Sequence, residues 1–200
     1  MKIAIDLNDV IRDYTGQFKK VYIKNIDSMF EIEDENITSS KLFEIFPFES
    51  EEDYNKFVYV DYPYELFGRA EPVEQMLPYR FNDWIQNTLR DVDEDKIPEI
   101  MFVSPLEANL TIQATMAFLA KLPSRVREIY FPIDSSTVWN KCDMLITANP
   151  LFLNNVPEDK IAIKINMPYN KDIECKYSFD KMMDIIEDKE DTIISLIEES

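Results

Sequence analysis

The chain has 200 residues, 46% of them hydrophobic, enough for one domain, or one domain with a lid, around a substantial core. A net charge of −18 opposes nucleic acid and other polyanions, and with no His and only two Gly the chain has no Gly-rich phosphate loop. No run reaches the roughly 18 apolar residues of a membrane span, and the first residues lack the basic-then-apolar layout of an export signal.

In chain order, Ile3-Ala4-Ile5 is a short apolar run closed by Asp6, which reads as a buried strand of a parallel sheet. Ligands in such sheets sit beyond the carboxyl ends of the strands, where Asp6 projects. The alternative is that Asp6 only caps a helix starting near Asp9. Residues 13–27 place Phe18, Val21, Tyr22 and Ile26 on one helical face. Thr38 to Phe46 opens with capping residues and predicts a second helix, stopped by Pro47; Ser50 to Val58 predicts a third. This helical block is either a lid over the end of the first strand or ordinary packing on the sheet. The aromatic stretch Phe43 to Phe67 accordingly serves as a docking face or as the lid's own core.

Glu71-Pro72 starts a longer predicted helix running through Trp84 and Leu89, kinked or divided at Pro78. Strands follow at Glu99–Val103, ending on Ser104, and at Arg127–Phe131, Asp143–Thr147 and Lys160–Ile165. A helix over 106–122 separates the first two, and the tail from Ser178 to Ile197 is helical with Met182, Ile185 and Ile186 facing inward. Strands alternating with helices imply an α/β fold with a mainly parallel sheet and right-handed crossovers. Cys142 and Cys175 show neither pairing nor metal spacing and read as buried thiols in a reducing compartment, the cytoplasm. The acidic runs Glu31–Glu35 and Glu187–Asp191 read as solvated faces, or less readily as surfaces for a basic partner.

Asp6, Ser104 and Thr147, each at the end of a predicted strand, resemble signature positions of the haloacid dehalogenase-like hydrolases. The likeness is closest to the 5'(3')-deoxyribonucleotidase family and spans essentially the whole chain. It is carried by Ile5-Asp6-Leu7-Asn8-Asp9-Val10, Phe67-Gly68-Arg69-Ala70-Glu71-Pro72, Phe102-Val103-Ser104-Pro105, Asp143 to Pro150, and Ile165 to Asn170. The resemblance implies a Rossmann-like core with helices on both faces, formed by residues 1–10 and 71–200, and a small helical cap over 11–70.

The resemblance also implies Mg²⁺-dependent hydrolysis of phosphate monoesters, but several functional positions depart from the pattern. Asp6 matches the nucleophile. Asn8 stands at the acid/base position, where an amide has no titratable proton. Asp9 replaces a Gly, and its expected position points it away from the pocket. Ser104 matches the hydroxyl that contacts phosphate. The family's Lys aligns with Ser136, leaving Lys141 as the nearest substitute. Thr147 and Ala148 stand where an acidic pair holds Mg²⁺, so Asp6, Thr147 and Ala148 are vestigial metal positions and no metal or other cofactor is expected.

Two readings follow. The first is a non-catalytic descendant of the nucleotidase fold, a structural or protein-interaction module with a protein partner, in the cytoplasm or within a larger assembly such as a virus particle. The second is an active hydrolase. It is then either a nucleotidase-like phosphatase with Mg²⁺, or a metal-independent, dehalogenase-like enzyme with Thr147-Ala148-Asn149 as the fourth motif.

Overall fold

Lys2–Asp6 (β1) lies at the middle of the sheet, flanked by Glu99–Val103 (β2) and Met144–Thr147 (β4). The computed structural model describes residues 1–90, 92–105, 107–124 and 126–199. Their sheet has six strands, β3-β2-β1-β4-β5-β6 in order, with Glu128–Tyr130 as β3, Ile161–Ile165 as β5 and Tyr177–Phe179 as β6. Every pairing in it is parallel. The registers Asp6↔Val103 and Ile5↔Ile146 bring the carboxyl ends of β1, β2 and β4 to one edge.

The strands are nearly continuous apolar runs because both faces of a parallel sheet are covered. On one face Ile3, Ile5, Phe102, Ile146 and Ile163 pack with Phe81, Trp84 and Met182, from Leu77–Gln86 (α3) and Met182–Ile186 (α6). Thr192–Glu198 (α7) closes the same side through Ile193 and Ile197. On the other face Ala4, Met101, Val103 and Leu145 meet Val138, Trp139 and Phe152, the last from the short helix Pro150–Leu153 (α5). The predicted mainly parallel α/β architecture is the observed one.

Between β1 and α3 the chain forms a helical segment. Tyr14–Asn25 (α1) is capped by the Asp13 side chain, which accepts from the Gly16 N–H at 2.9 Å. Glu51–Lys56 (α2) is capped by Ser50 and followed by π-helical turns at Phe57–Asp61 and Tyr64–Gly68. The aromatic stretch packs inward: Phe18, Tyr22, Phe46 and Phe57 are all buried, with ring centroids 4.9 Å apart for Phe18 and Phe46. The chain leaves and returns side by side, since the Asp13 N–H donates to the Glu71 carbonyl at 2.9 Å and the Val73 N–H to that of Ile11 at 3.0 Å. Leu110–Leu119 (α4) fills the crevice beneath. Gly68 allows that approach, because a Cβ there would lie 3.1 Å from the Ala114 carbonyl oxygen.

Five local expectations change. The predicted helix over Thr38–Phe46 is only a 3-10 turn at Leu42–Glu44, without a side-chain cap. The helix predicted from Glu71 starts at Leu77, because 71–73 pair with the chain leaving β1. Pro78 therefore falls in the helix's first turn, where its missing N–H costs no hydrogen bond, and it makes no kink. The helix predicted over 106–122 runs Leu110–Leu119, and Leu106 itself lies outside the described residues. The helical tail predicted from Ser178 to Ile197 starts only at Met182 and is split into α6 and α7, and Tyr177–Phe179, whose last two residues fell inside that prediction, is a sixth strand beside β5.

Candidate functional site

Asp6 ends β1 with its side chain buried, 1% exposed. Its Oδ2 accepts the Thr147 hydroxyl at 2.8 Å, while Oδ1 has no completed hydrogen bond. Burial pushes this carboxyl up to about 7; the Thr147 hydroxyl offsets part of the rise, and the Asn8 backbone N–H, which faces the carboxyl without completing a hydrogen bond to Oδ1, offsets a little more. Asp6 and Thr147 meet because β1 and β4 are neighbours.

Two residues on, the Asn8 side-chain oxygen accepts from Arg12 twice, from Nε at 3.0 Å and from a terminal nitrogen at 2.6 Å. The Arg12 guanidinium is fully buried. It also donates to Glu107 at 2.8 Å, to Ser104 Oγ at 3.2 Å, to Thr115 Oγ1 at 2.6 Å and to the Phe67 carbonyl at 3.2 Å. Ser104 in turn donates to Glu107. The guanidinium carbon sits 5.0 Å from the Phe67 ring centre and 5.5 Å from that of Phe118. One cation thus ties the end of β2, α4 and the helical segment to the turn after β1, and its paired charge makes burial tolerable.

Arg12, Glu107 and Thr115 were not legible as site residues in the sequence. An Arg in a polar turn normally faces water, and its main charged partner lies 95 residues away. Asn8 and Ser104 are both drawn into this network.

Asp9 takes a left-handed backbone, φ 59°, which turns its carboxylate inward. It accepts the Thr15 N–H at 2.8 Å, the Thr15 hydroxyl at 2.6 Å and the Tyr169 hydroxyl at 2.8 Å. Burial raises its carboxyl above the usual range despite these donors. The sequence expectation that Asp9 points away from the pocket is therefore corrected: Asp9 and Asp6 line the same cavity of about 120 Å³. Tyr14, Tyr54, Tyr59, Phe67 and Tyr169 form much of its wall, Asn8, Thr15 and Asn149 add polar groups, and among the described residues no basic side chain lines it.

Of the remaining predicted positions, Lys141, Ser136 and Ala148 do not line that cavity, whereas Asn149 does. Lys141 is exposed, with Nζ 5.9 Å from the Tyr130 ring centre. The Ser136 backbone N–H donates to the Asp134 side chain at 2.9 Å in an exposed turn. Ala148 is fully buried among apolar residues. Asn149 caps α5, its side-chain oxygen accepting the Leu151 N–H at 3.0 Å.

The resemblance read from the sequence implies Mg²⁺, and the residues present do not fit it. Mg²⁺ takes oxygen ligands in a near-octahedral shell, with carboxylate help. Here Asp6 has one oxygen spoken for, both Asp9 oxygens accept protein donors, the Asn8 side chain faces a guanidinium, and Ala148 has no side-chain ligand while its carbonyl accepts from Asn170. Among the described residues no group of three or more acidic, His or Cys side chains is arranged to hold a metal.

No protein-family model matches the chain, and no curated protein matches it. Solved structures do. One, provisionally assigned as a haloacid dehalogenase-like hydrolase from Burkholderia xenovorans LB400, superposes with a TM-score of 0.56. The match covers 96% of this chain and 97% of that one at 8% sequence identity. At that identity the likeness establishes the fold, which is the haloacid dehalogenase-like α/β fold.

Proposed function

We propose that this chain is a non-catalytic protein on a haloacid dehalogenase-like, nucleotidase-related fold, acting as a structural or protein-interaction module. The observation that carries this reading is the commitment of Asn8 and Ser104 to Arg12. The position that would transfer the proton is an amide held by a guanidinium, and the hydroxyl that would contact phosphate is held by Glu107 and Arg12. A phosphate dianion in the cavity would face the carboxyl groups of Asp6 and Asp9 with no basic side chain in the wall among the described residues, an arrangement that opposes its binding. Loss of acid/base assistance alone costs about 10²–10⁴ in rate.

The metal-independent hydrolase alternative has less support, since Asn149 is used as a helix cap and Lys141 lies outside the cavity wall. A charge of −18 favours a protein partner with a basic face over nucleic acid, in the cytoplasm or inside a larger assembly such as a virus particle. The test is phosphate release from deoxynucleoside monophosphates, with and without Mg²⁺. Release at the buffer background is expected for wild type and Asp6→Asn alike. Wild-type turnover abolished by Asp6→Asn would overturn the proposal.

A further inference from the structure

The cavity at the end of β1 combines two carboxyl groups with aromatic walls and, among the described residues, has no basic side chain in its lining. The nearby cation, Arg12, is committed to Glu107, Asn8 and Ser104. Asp6 lines the cavity, is 1% exposed, and keeps an oxygen without a completed hydrogen bond. Buried acceptors normally find a donor, so this atom marks where a ligand's N–H or O–H belongs. From this geometry we infer that the cavity binds a short primary alkylammonium ion, its N–H groups directed at Asp6 and its alkyl part held between Tyr14, Tyr59, Phe67 and Tyr169.

Each element of that ligand follows from a separate feature. Positive charge answers Asp6 and Asp9, two carboxyl groups that line one cavity whose wall has no basic side chain among the described residues. Ring faces favour a cation and an alkyl chain together. A volume of about 120 Å³ is enough for a short alkyl chain. Tetraalkylammonium ions carry charge but no N–H for the Asp6 oxygen, so the site should discriminate against them. The inference rests on the non-catalytic reading of the same cavity.

Calorimetric titration with n-propylammonium chloride at constant ionic strength tests it, with tetramethylammonium chloride, sodium chloride and inorganic phosphate as parallel arms. Saturable binding of propylammonium is expected. Affinity should fall at least about tenfold in Asp6→Asn and for tetramethylammonium, the scale of one charge-assisted hydrogen bond. If Asp6→Asn does not fold, proton NMR on wild type replaces it, and the bound propyl methyl should shift upfield in the ring currents of the walls. No saturable propylammonium binding, an equal response to sodium, equal affinity in folded Asp6→Asn, an unshifted methyl, or preferential binding of phosphate would each overturn the inference. Phosphate release is assayed on the same samples. Wild-type turnover refutes the non-catalytic reading, whereas absent amine binding without turnover refutes only the ammonium site.

Discussion

The Thr147 hydroxyl donates to Asp6 Oδ2 at 2.8 Å, joining the ends of two neighbouring strands whose residues lie 141 positions apart. That bond holds one carboxylate oxygen in place and leaves the other to the cavity. Several consequences can be measured.

The Asp6 carboxyl is raised from 3.8 to about 7 by burial, so the folded chain holds a proton that the unfolded chain releases. Its contribution to stability is therefore full below about pH 4 and is lost as pH rises towards 7. Asp9, raised by the same cause, adds to that slope. Urea unfolding of wild type and Asp6→Asn should show the variant gaining on wild type between pH 5 and pH 8, by roughly 1–4 kcal/mol. A gap independent of pH would mean that Asp6 titrates as an ordinary carboxylate.

The Arg12–Glu107 pair is fully buried on both sides. Arg12→Met or Glu107→Gln should each cost about 3–5 kcal/mol, because the partner's charge is left without its counterpart. The double change Arg12→Met with Glu107→Leu should cost clearly less than the sum. Arg12→Lys should not rescue, since an ammonium cannot reach Asn8, Ser104, Thr115 and the Phe67 carbonyl together. A double-mutant cycle by urea denaturation reads all of these, and additive single effects would contradict the network.

Asn8→Asp restores the family's carboxylate in name only. With Arg12 donating to this position from two nitrogens, the new carboxylate becomes an ion-pair partner instead of a proton donor. Phosphate release should stay at background with and without Mg²⁺. A rise of about tenfold or more would show that the amide alone had silenced the site.

Lys141→Ala should change stability by no more than about 1 kcal/mol, the scale of an exposed cation–π contact with Tyr130. It should also leave propylammonium affinity unchanged, because Lys141 does not line the cavity. A marked loss of either would place Lys141 in the site after all.

Strand ends were the legible part of the site. Ile3-Ala4-Ile5 followed by Asp6, and Met144 to Thr147, carry the apolar runs of buried parallel strands, and any parallel sheet delivers its strand ends to one edge. Tyr177–Phe179 was missed as a strand because three residues on an edge carry too little pattern to compete with the helical run that follows. Asp9 was misdirected because nothing local announces a left-handed backbone at a non-glycine residue.

The sequence by itself determined the alternation of strands and helices, the apolar core, the acidic surface and the identity of the residues at the strand ends. Each of those follows from local composition and period, which a single segment carries. Only the tertiary structure decided that Arg12 is buried rather than solvated, since that depends on Glu107, Thr115 and the Phe67 carbonyl arriving from distant segments. It likewise decided that Asp6 and Asp9 share one aromatic cavity, with no basic side chain in its wall among the described residues. A side chain's ionisation and partners depend on what surrounds it in space, and that surrounding exists only once the chain has folded.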